Sequence, residues 1–175
     1  MKFRLISRVL GIGLIAFSFL QLTPIIVSIV YNEDNIIAFA YSFLITLAFG
    51  FFLYLVNFEK KYEGIRVKEG FLLTVLLWLF FTVFATLPFI FGSKTGLSIV
   101  SAYFEATSGL TTTGATIFSD LSGEYYSILF YRGLLQWIGG LGIIVLAIAL
   151  MPLLGVGGMQ LYLSLIHISE PTRQP

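Results

Sequence analysis

Apolar residues run along this chain in four long stretches, with charged residues gathered at their ends. Val9 to Val30 holds no charged residue, nor does Ile36 to Phe58, nor Gly70 to Ser93. Each is long enough to cross hydrocarbon, since a helix rising about 1.5 Å per residue needs about 20 residues to do so. In the third stretch, Phe71 to Phe91 supplies fifteen Leu, Ile, Phe or Val residues. At mid-span values they favour insertion by about 5 to 9 kcal/mol. The fourth stretch, Gly133 to Ser169, is also free of formal charge. It predicts a helix near Ser127 to Leu154, ended by Pro152 and the glycines after it.

The segment between the third and fourth spans breaks the pattern. Leu97 to Thr107 predicts a helix, capped by Ser98, with Ile99, Val100, Ala102, Tyr103, Phe104 and Ala106 as apolar surface. It reaches only about 16 Å, half a membrane. Ser108-Gly109-Leu110-Thr111-Thr112-Thr113-Gly114-Ala115-Thr116 follows, polar and glycine-containing, and predicts the end of that helix. Two readings are open at this level. A re-entrant half-helix entering from outside would aim its partially negative C-terminus at the membrane centre. The loop returning outward would then offer backbone carbonyls and Thr hydroxyls to a dehydrated cation, with Gly114 giving a backbone conformation that a β-carbon could obstruct. An ordinary extracellular loop rich in Thr and Ser has the same composition.

Composition narrows the class. Hydrophobic residues make up 58% and charged residues 11% of the 175, against about 25% charged in soluble domains. A soluble fold of this size has too little interior for so much apolar surface. An aromatic content of 17% excludes disorder. A net charge of +1 gives no basic field for nucleic acid. The chain has no Cys and a single His, His167, so thiol chemistry, a Ser-His-Asp triad and an HExxH site are not assembled. The expectation is an all-α integral membrane protein in a lipid bilayer and not an enzyme.

Basic residues orient it. Lys2, Arg4 and Arg8 precede the first span, and Lys60, Lys61, Arg66 and Lys68 join the second to the third; the other side offers Lys94. That asymmetry predicts a cytoplasmic N-terminus. Ala16-Phe17-Ser18 imitates a signal-peptide cleavage site, but the apolar run continues past it, so an uncleaved span is expected.

Several residues carry individual expectations. Glu105, the acid within the half-helix, is costly at membrane depth and is expected to support the loop by hydrogen bonding or to raise local cation concentration. Asp120 and Glu124 read as solvated loop acids. Arg132, at the start of the last helix, either pairs with an acid or snorkels to water. Gly139, Gly140 and Gly142 suit close helix approach behind the loop. Trp78 and Trp137 read as packing or membrane-facing groups. Gly155-Val156-Gly157-Gly158 lacks the strand–turn–helix context of a nucleotide loop and reads as a helix exit.

Phe104-Glu105-Ala106-Thr107-Ser108-Gly109-Leu110-Thr111-Thr112-Thr113-Gly114-Ala115-Thr116 resembles the first pore loop of the bacterial Trk-type potassium transporters, the TrkH/TrkG class. The resemblance continues through Leu129-Phe130-Tyr131-Arg132, Leu135-Gln136-Trp137, the run from Gly139 to Ala147 and the run from Leu154 to Tyr162. Met1-Lys2-Phe3-Arg4 and Glu69-Gly70-Phe71-Leu72 match as well.

The resemblance implies two leading transmembrane helices followed by one helix–re-entrant pore helix/filter loop–helix unit, the first of four around a central pore. It divides the chain into a leading hairpin over 1–69, a pore unit over 70–162 and a tail over 163–175. It implies potassium as the bound and transported ion, with Thr112, Thr113 and Gly114 on the coordinating strand and Thr111 and Ala115 beside it. Glycine at 114 points to potassium, since related transporters with sodium preference often carry Ser there. Further implications are the bacterial inner membrane, a homodimer of the full-length protein and a cytosolic nucleotide-binding Trk regulatory subunit. The tail from Leu163 to Pro175 departs from the family pattern and resembles translated adapter sequence, so an incomplete gene is expected and His167 has no assigned role. A non-conducting membrane scaffold or assembly subunit is the alternative function.

Overall fold

A computed structural model describes residues 3–56 and 67–150. Residues 57–66, with Lys60, Lys61 and Arg66 of the basic connection between the second and third spans, lie outside the described residues, as do the expected helix exit at Pro152 and the tail. The elements are α1 (Phe3–Leu20), α2 (Thr23–Val30), α3 (Ile36–Val56), α4 (Val67–Ala85), α5 (Leu87–Gly92), α6 (Ile99–Leu110) and α7 (Tyr126–Leu150). No strand occurs among the described residues. Among the described residues four helical passes are long and apolar enough to cross a membrane: Arg4–Val30, Ile36–Val56, Glu69–Gly92 and Tyr126–Ile144.

Two of the passes are broken where the apolar pattern predicts continuity. The first divides at Gln21 and Leu22, the third at Thr86. Both breaks precede a proline, Pro24 in α2 and Pro88 in α5. Proline has no N–H to offer the carbonyl four residues back, which must find another donor inside a membrane. The Thr23 hydroxyl donates to the Leu20 carbonyl at 2.8 Å. The Gln21 side chain donates to the Phe84 carbonyl at 3.1 Å. The Tyr131 hydroxyl reaches the neighbouring Ala85 carbonyl at 3.3 Å.

Gln21 therefore serves both breaks: it stands in the first and satisfies a carbonyl at the second. Its own Oε1 accepts from Thr46 of α3 at 3.1 Å. Gln21→Leu removes these bonds and leaves the Phe84 carbonyl buried without a donor. The expected cost is about 1 to 3 kcal/mol, read as a lower melting temperature of detergent-solubilised protein; Thr46→Val loses the hydroxyl contacts with Gln21 Oε1 at 3.1 Å and with the Ser42 carbonyl at 2.7 Å but leaves the Phe84 carbonyl its donor, and should cost less.

Around this polar centre the core is aromatic. Phe17 stacks on Phe81 with ring centres 4.8 Å apart, and Phe49 meets Phe84 at 5.1 Å. Leu10, Leu14, Phe39, Phe89 and Leu135 are buried in the same cluster. Glycines admit close crossings: a β-carbon on Gly11 of α1 would lie 2.7 Å from the Gly50 carbonyl of α3. Outward-facing Ile26, Leu44, Phe52, Val75 and Val83 are exposed, as suits a lipid-facing surface.

One end of the bundle is tied by polar side chains. The Glu33 carboxylate accepts from the amides of Tyr126 and Ser127 at 2.6 and 3.1 Å, satisfying the first turn of α7. Asn35 receives the Ser28 hydroxyl at 2.7 Å and donates to the Ser127 hydroxyl at 2.7 Å and the Gly92 carbonyl at 3.3 Å. The half-length helix α6 and its loop hang from this end.

Candidate cation-binding loop

The half-helix is capped by Ser98 as its sequence predicts, and starts at Ile99, two residues after the expected Leu97. Ser98 is the N-cap, its hydroxyl accepting from the Ser101 amide at 3.2 Å. It ends later than predicted, because Ser108, Gly109 and Leu110 are helical. Tertiary packing overrides the weak propensity of Ser108 and Gly109. All three are buried, Gly109 facing Leu135 so closely that a β-carbon there would come within 3.0 Å of the Leu135 Cβ. The Leu110 carbonyl presses on Gly139 of α7, where a β-carbon would overlap it. Gly139 thus lets the last turn of α6 rest directly on α7, the close approach expected of these glycines. Gly140 and Gly142 face Thr112 and Trp78.

Beyond Leu110 the chain reverses. The amides of Thr111 and Thr112 bond back to the carbonyls of Thr107 and Gly109 at 2.9 and 3.0 Å. Those of Thr113 and Gly114 share the Ser108 carbonyl at 3.0 and 3.4 Å. With the amides turned inward, the carbonyls of Thr112, Thr113 and Gly114 accept no hydrogen bond among the described residues, and all three residues are exposed. Two of them are left-handed, Thr112 at φ 58° and Gly114 at φ 76°. Glycine takes that region freely, but a β-branched residue does so at a cost of about 1 to 3 kcal/mol. The Thr112 hydroxyl donates to the Thr111 carbonyl at 2.7 Å, and the hydroxyls of Thr111 and Thr113 are 2.8 Å apart.

The returning strand is anchored by polar residues of α6. The Ser108 hydroxyl donates to the Ala115 carbonyl at 2.6 Å. Glu105, fully buried, accepts the Thr116 hydroxyl and the Ile117 amide, each at 2.6 Å. Its other oxygen takes Arg132 Nε at 2.8 Å. Of the two fates expected for Arg132, pairing is the one observed. Glu105 supports the loop by hydrogen bonding; with three donors on its carboxylate, one of them the Arg132 cation, it is not a free attractor of ions.

Glu124 corrects the expectation of a solvated acid. It is 5% exposed and accepts the Lys94 amide at 2.6 Å and the hydroxyls of Ser93 and Thr95 at 2.9 and 3.2 Å. It ties the turn after α5 to the start of α7. Asp120 is exposed as expected, and bonds from the Ser122 hydroxyl and amide, at 2.6 and 2.9 Å, hold its carboxyl below the usual carboxylate range. Sequence reasoning misses the anchoring roles of Ser108 and Thr116. A signal exists for Ser108, which lies on the helix face of Ala102, Glu105 and Ala106. Trp137 is exposed, whereas Trp78 packs against the core.

Comparison with known proteins points to one family. Residues 35–172 match the family model TrkH, described as cation transport protein. The chain is 47% identical over 162 residues to the Trk system potassium uptake protein TrkH of Escherichia coli K12, covering 93% of this chain and 33% of that protein. It is 37% identical over 161 residues to TrkG of the same organism, covering 92% and 33%. The crystal structure of the potassium transporter TrkH from Vibrio parahaemolyticus superposes with a TM-score of 0.83 at 38% identity, covering 96% of this chain and 37% of that one. The chain spans about a third of the length of the curated relatives it matches.

Proposed function

The chain belongs to the TrkH family of cation transport proteins, and we propose that it serves potassium uptake by supplying one quarter of a selectivity filter from Thr112, Thr113 and Gly114. The observation that carries this reading is the row of three consecutive exposed residues whose carbonyls accept no hydrogen bond among the described residues, their amides turned back into α6. Such carbonyls can replace the hydration shell of a cation. The last turn of α6 adds its partial negative charge next to them. Thr hydroxyls that donate to backbone keep their lone pairs available for the same purpose. No bond is made or broken in this process; potassium is the cargo.

In this reading α6 is the re-entrant helix, entered from outside, and the N-terminus is cytoplasmic. Residues 1–69 form the leading hairpin and 70–162 the first pore unit. The completed pore stands in the bacterial inner membrane as a homodimer of the full-length protein, served by a cytosolic nucleotide-binding Trk regulatory subunit.

The test is a chimera in which residues 1–162 replace the matching third of the E. coli relative, expressed in a host without potassium uptake systems. It should restore growth at low potassium. A thiol placed by Thr113→Cys should be modified by a polar thiol reagent more slowly in potassium than in choline. An inserted chimera without potassium uptake, or modification indifferent to potassium, would overturn the reading.

A further inference from the structure

We propose that the buried pair Glu105–Arg132 is a positioning device that sets which cation the loop accepts; this inference rests on the potassium-pore reading above. The strand from Thr112 to Gly114 has no hydrogen bonds on its own carbonyls among the described residues, so its shape is determined by how its two ends are held. One end is the last turn of α6, through the amides of Thr111, Thr112 and Thr113. The other is held first by the Ser108 hydroxyl on the Ala115 carbonyl and then by the Glu105 carboxylate, which gathers the Thr116 hydroxyl and the Ile117 amide on one oxygen and fixes the strand to α7. The Thr116 hydroxyl in turn accepts the Phe118 amide at 3.1 Å, extending the hold by one residue.

Arg132 completes the device. It reaches from α7 to the second carboxylate oxygen at 2.8 Å, with side-chain exposures of 13% for Arg132 and 0% for Glu105. Its guanidinium also lies 5.8 Å from the centre of the Phe118 ring, so α7 touches the returning strand on a second side. A buried carboxylate is tolerated only with its charge and lone pairs matched, and here three donors, one of them cationic, do so. The pair joins α6, α7 and the outer end of the strand at a single point. Carbonyls discriminate between cations of equal charge by where, and how many, dipoles converge. The point that holds the strand's outer end therefore governs selectivity without touching the ion.

The experiment uses the chimera described above, reconstituted into lipid vesicles, with the ratio of potassium to sodium uptake measured per inserted molecule. Glu105→Gln leaves Arg132 facing a neutral amide and should lower the ratio about tenfold, the scale of one charge-assisted hydrogen bond. Arg132→Gln places an amide group where Arg132 Nε stands, so the double variant Glu105→Gln/Arg132→Gln rebuilds the contact without charge. It should recover both membrane abundance and most of the ratio. Thr116→Val removes one donor from Glu105 and the acceptor of the Phe118 amide, leaves the ion pair intact and keeps the shape, and should lower the ratio about threefold. Thr116→Val and the double variant test the inference even where Glu105→Gln alone fails to insert.

An unchanged ratio in Thr116→Val would overturn the inference while leaving the pore reading standing. So would a double variant that recovers abundance but not the ratio, because charge and not placement would then be at work. An unsubstituted chimera that inserts yet carries no potassium overturns the pore reading and this inference with it.

Discussion

Gly139→Ala is expected to destabilise the protein more than any other single-methyl addition in α7. The added carbon would occupy the position of the Leu110 carbonyl, a backbone atom at the end of α6 that cannot turn aside as a side chain can. Overpacking of this kind costs about 1 to 3 kcal/mol where the surroundings adjust, and here the part that must adjust is the turn leading into Thr111 to Gly114. Loss of stability and loss of cation discrimination should therefore appear together. Gly133→Ala in the same helix is the control, since nothing lies within 4 Å of a β-carbon there. Exchanging an exposed helical glycine for alanine favours the helix by about 1 kcal/mol. Melting of the two solubilised variants should shift in opposite directions. Equal melting would mean that α6 does not rest on α7 through Gly139.

Much of this architecture is legible in the order of the amino acids, and the parts that are not share a cause. Membrane-length apolar runs without charge locate all four passes, because insertion depends on composition over about 20 residues. The same runs hide both helix breaks, although Pro24 and Pro88 mark them. An apolar run gives no reason to stop a helix; the carbonyl freed by Pro24 is satisfied locally by Thr23, and those near Pro88 by Gln21 and Tyr131, both from other passes. Local pattern also ends α6 too early, for a similar reason. Ser108 and Gly109 read as breakers, but Gly109 is there to meet Leu135 and Ser108 to hold the returning strand. Glu124 reads as solvated because its partners, Ser93 to Thr95, lie about thirty positions away. The Thr/Gly loop is the opposite case: its chemistry is contained in consecutive residues, so its composition already suggests oxygen ligands. What composition does not supply is the direction of the amides, which leaves the carbonyls unpaired.

In the chimera with the E. coli relative, Gly114→Ser should leave the protein folded and, on the proposed filter reading, change its discrimination between potassium and sodium. A β-carbon at 114 has room, its nearest neighbour being the Gln136 amide at 3.9 Å, so packing does not forbid the substitution. The backbone does: φ is 76°, and an L-residue held there loses roughly 1 to 2 kcal/mol. Thr112 already bears such strain at φ 58°, two positions earlier. A second strained residue in so short a strand is relieved by rotating 114 to negative φ, which redirects the carbonyls on either side of it. Because the loop is exposed and its amides are anchored in α6, the disturbance should stay local. The expected result is normal membrane abundance with potassium-over-sodium discrimination reduced about tenfold or more. Gly114→Ala separates backbone from hydroxyl: if φ is the cause, alanine and serine act alike, whereas a direct role for the serine oxygen would spare the alanine variant. Transport by both variants with unaltered discrimination would mean that the left-handed turn at Gly114 is not part of the ion path, and the assignment of Thr112, Thr113 and Gly114 would fall with it.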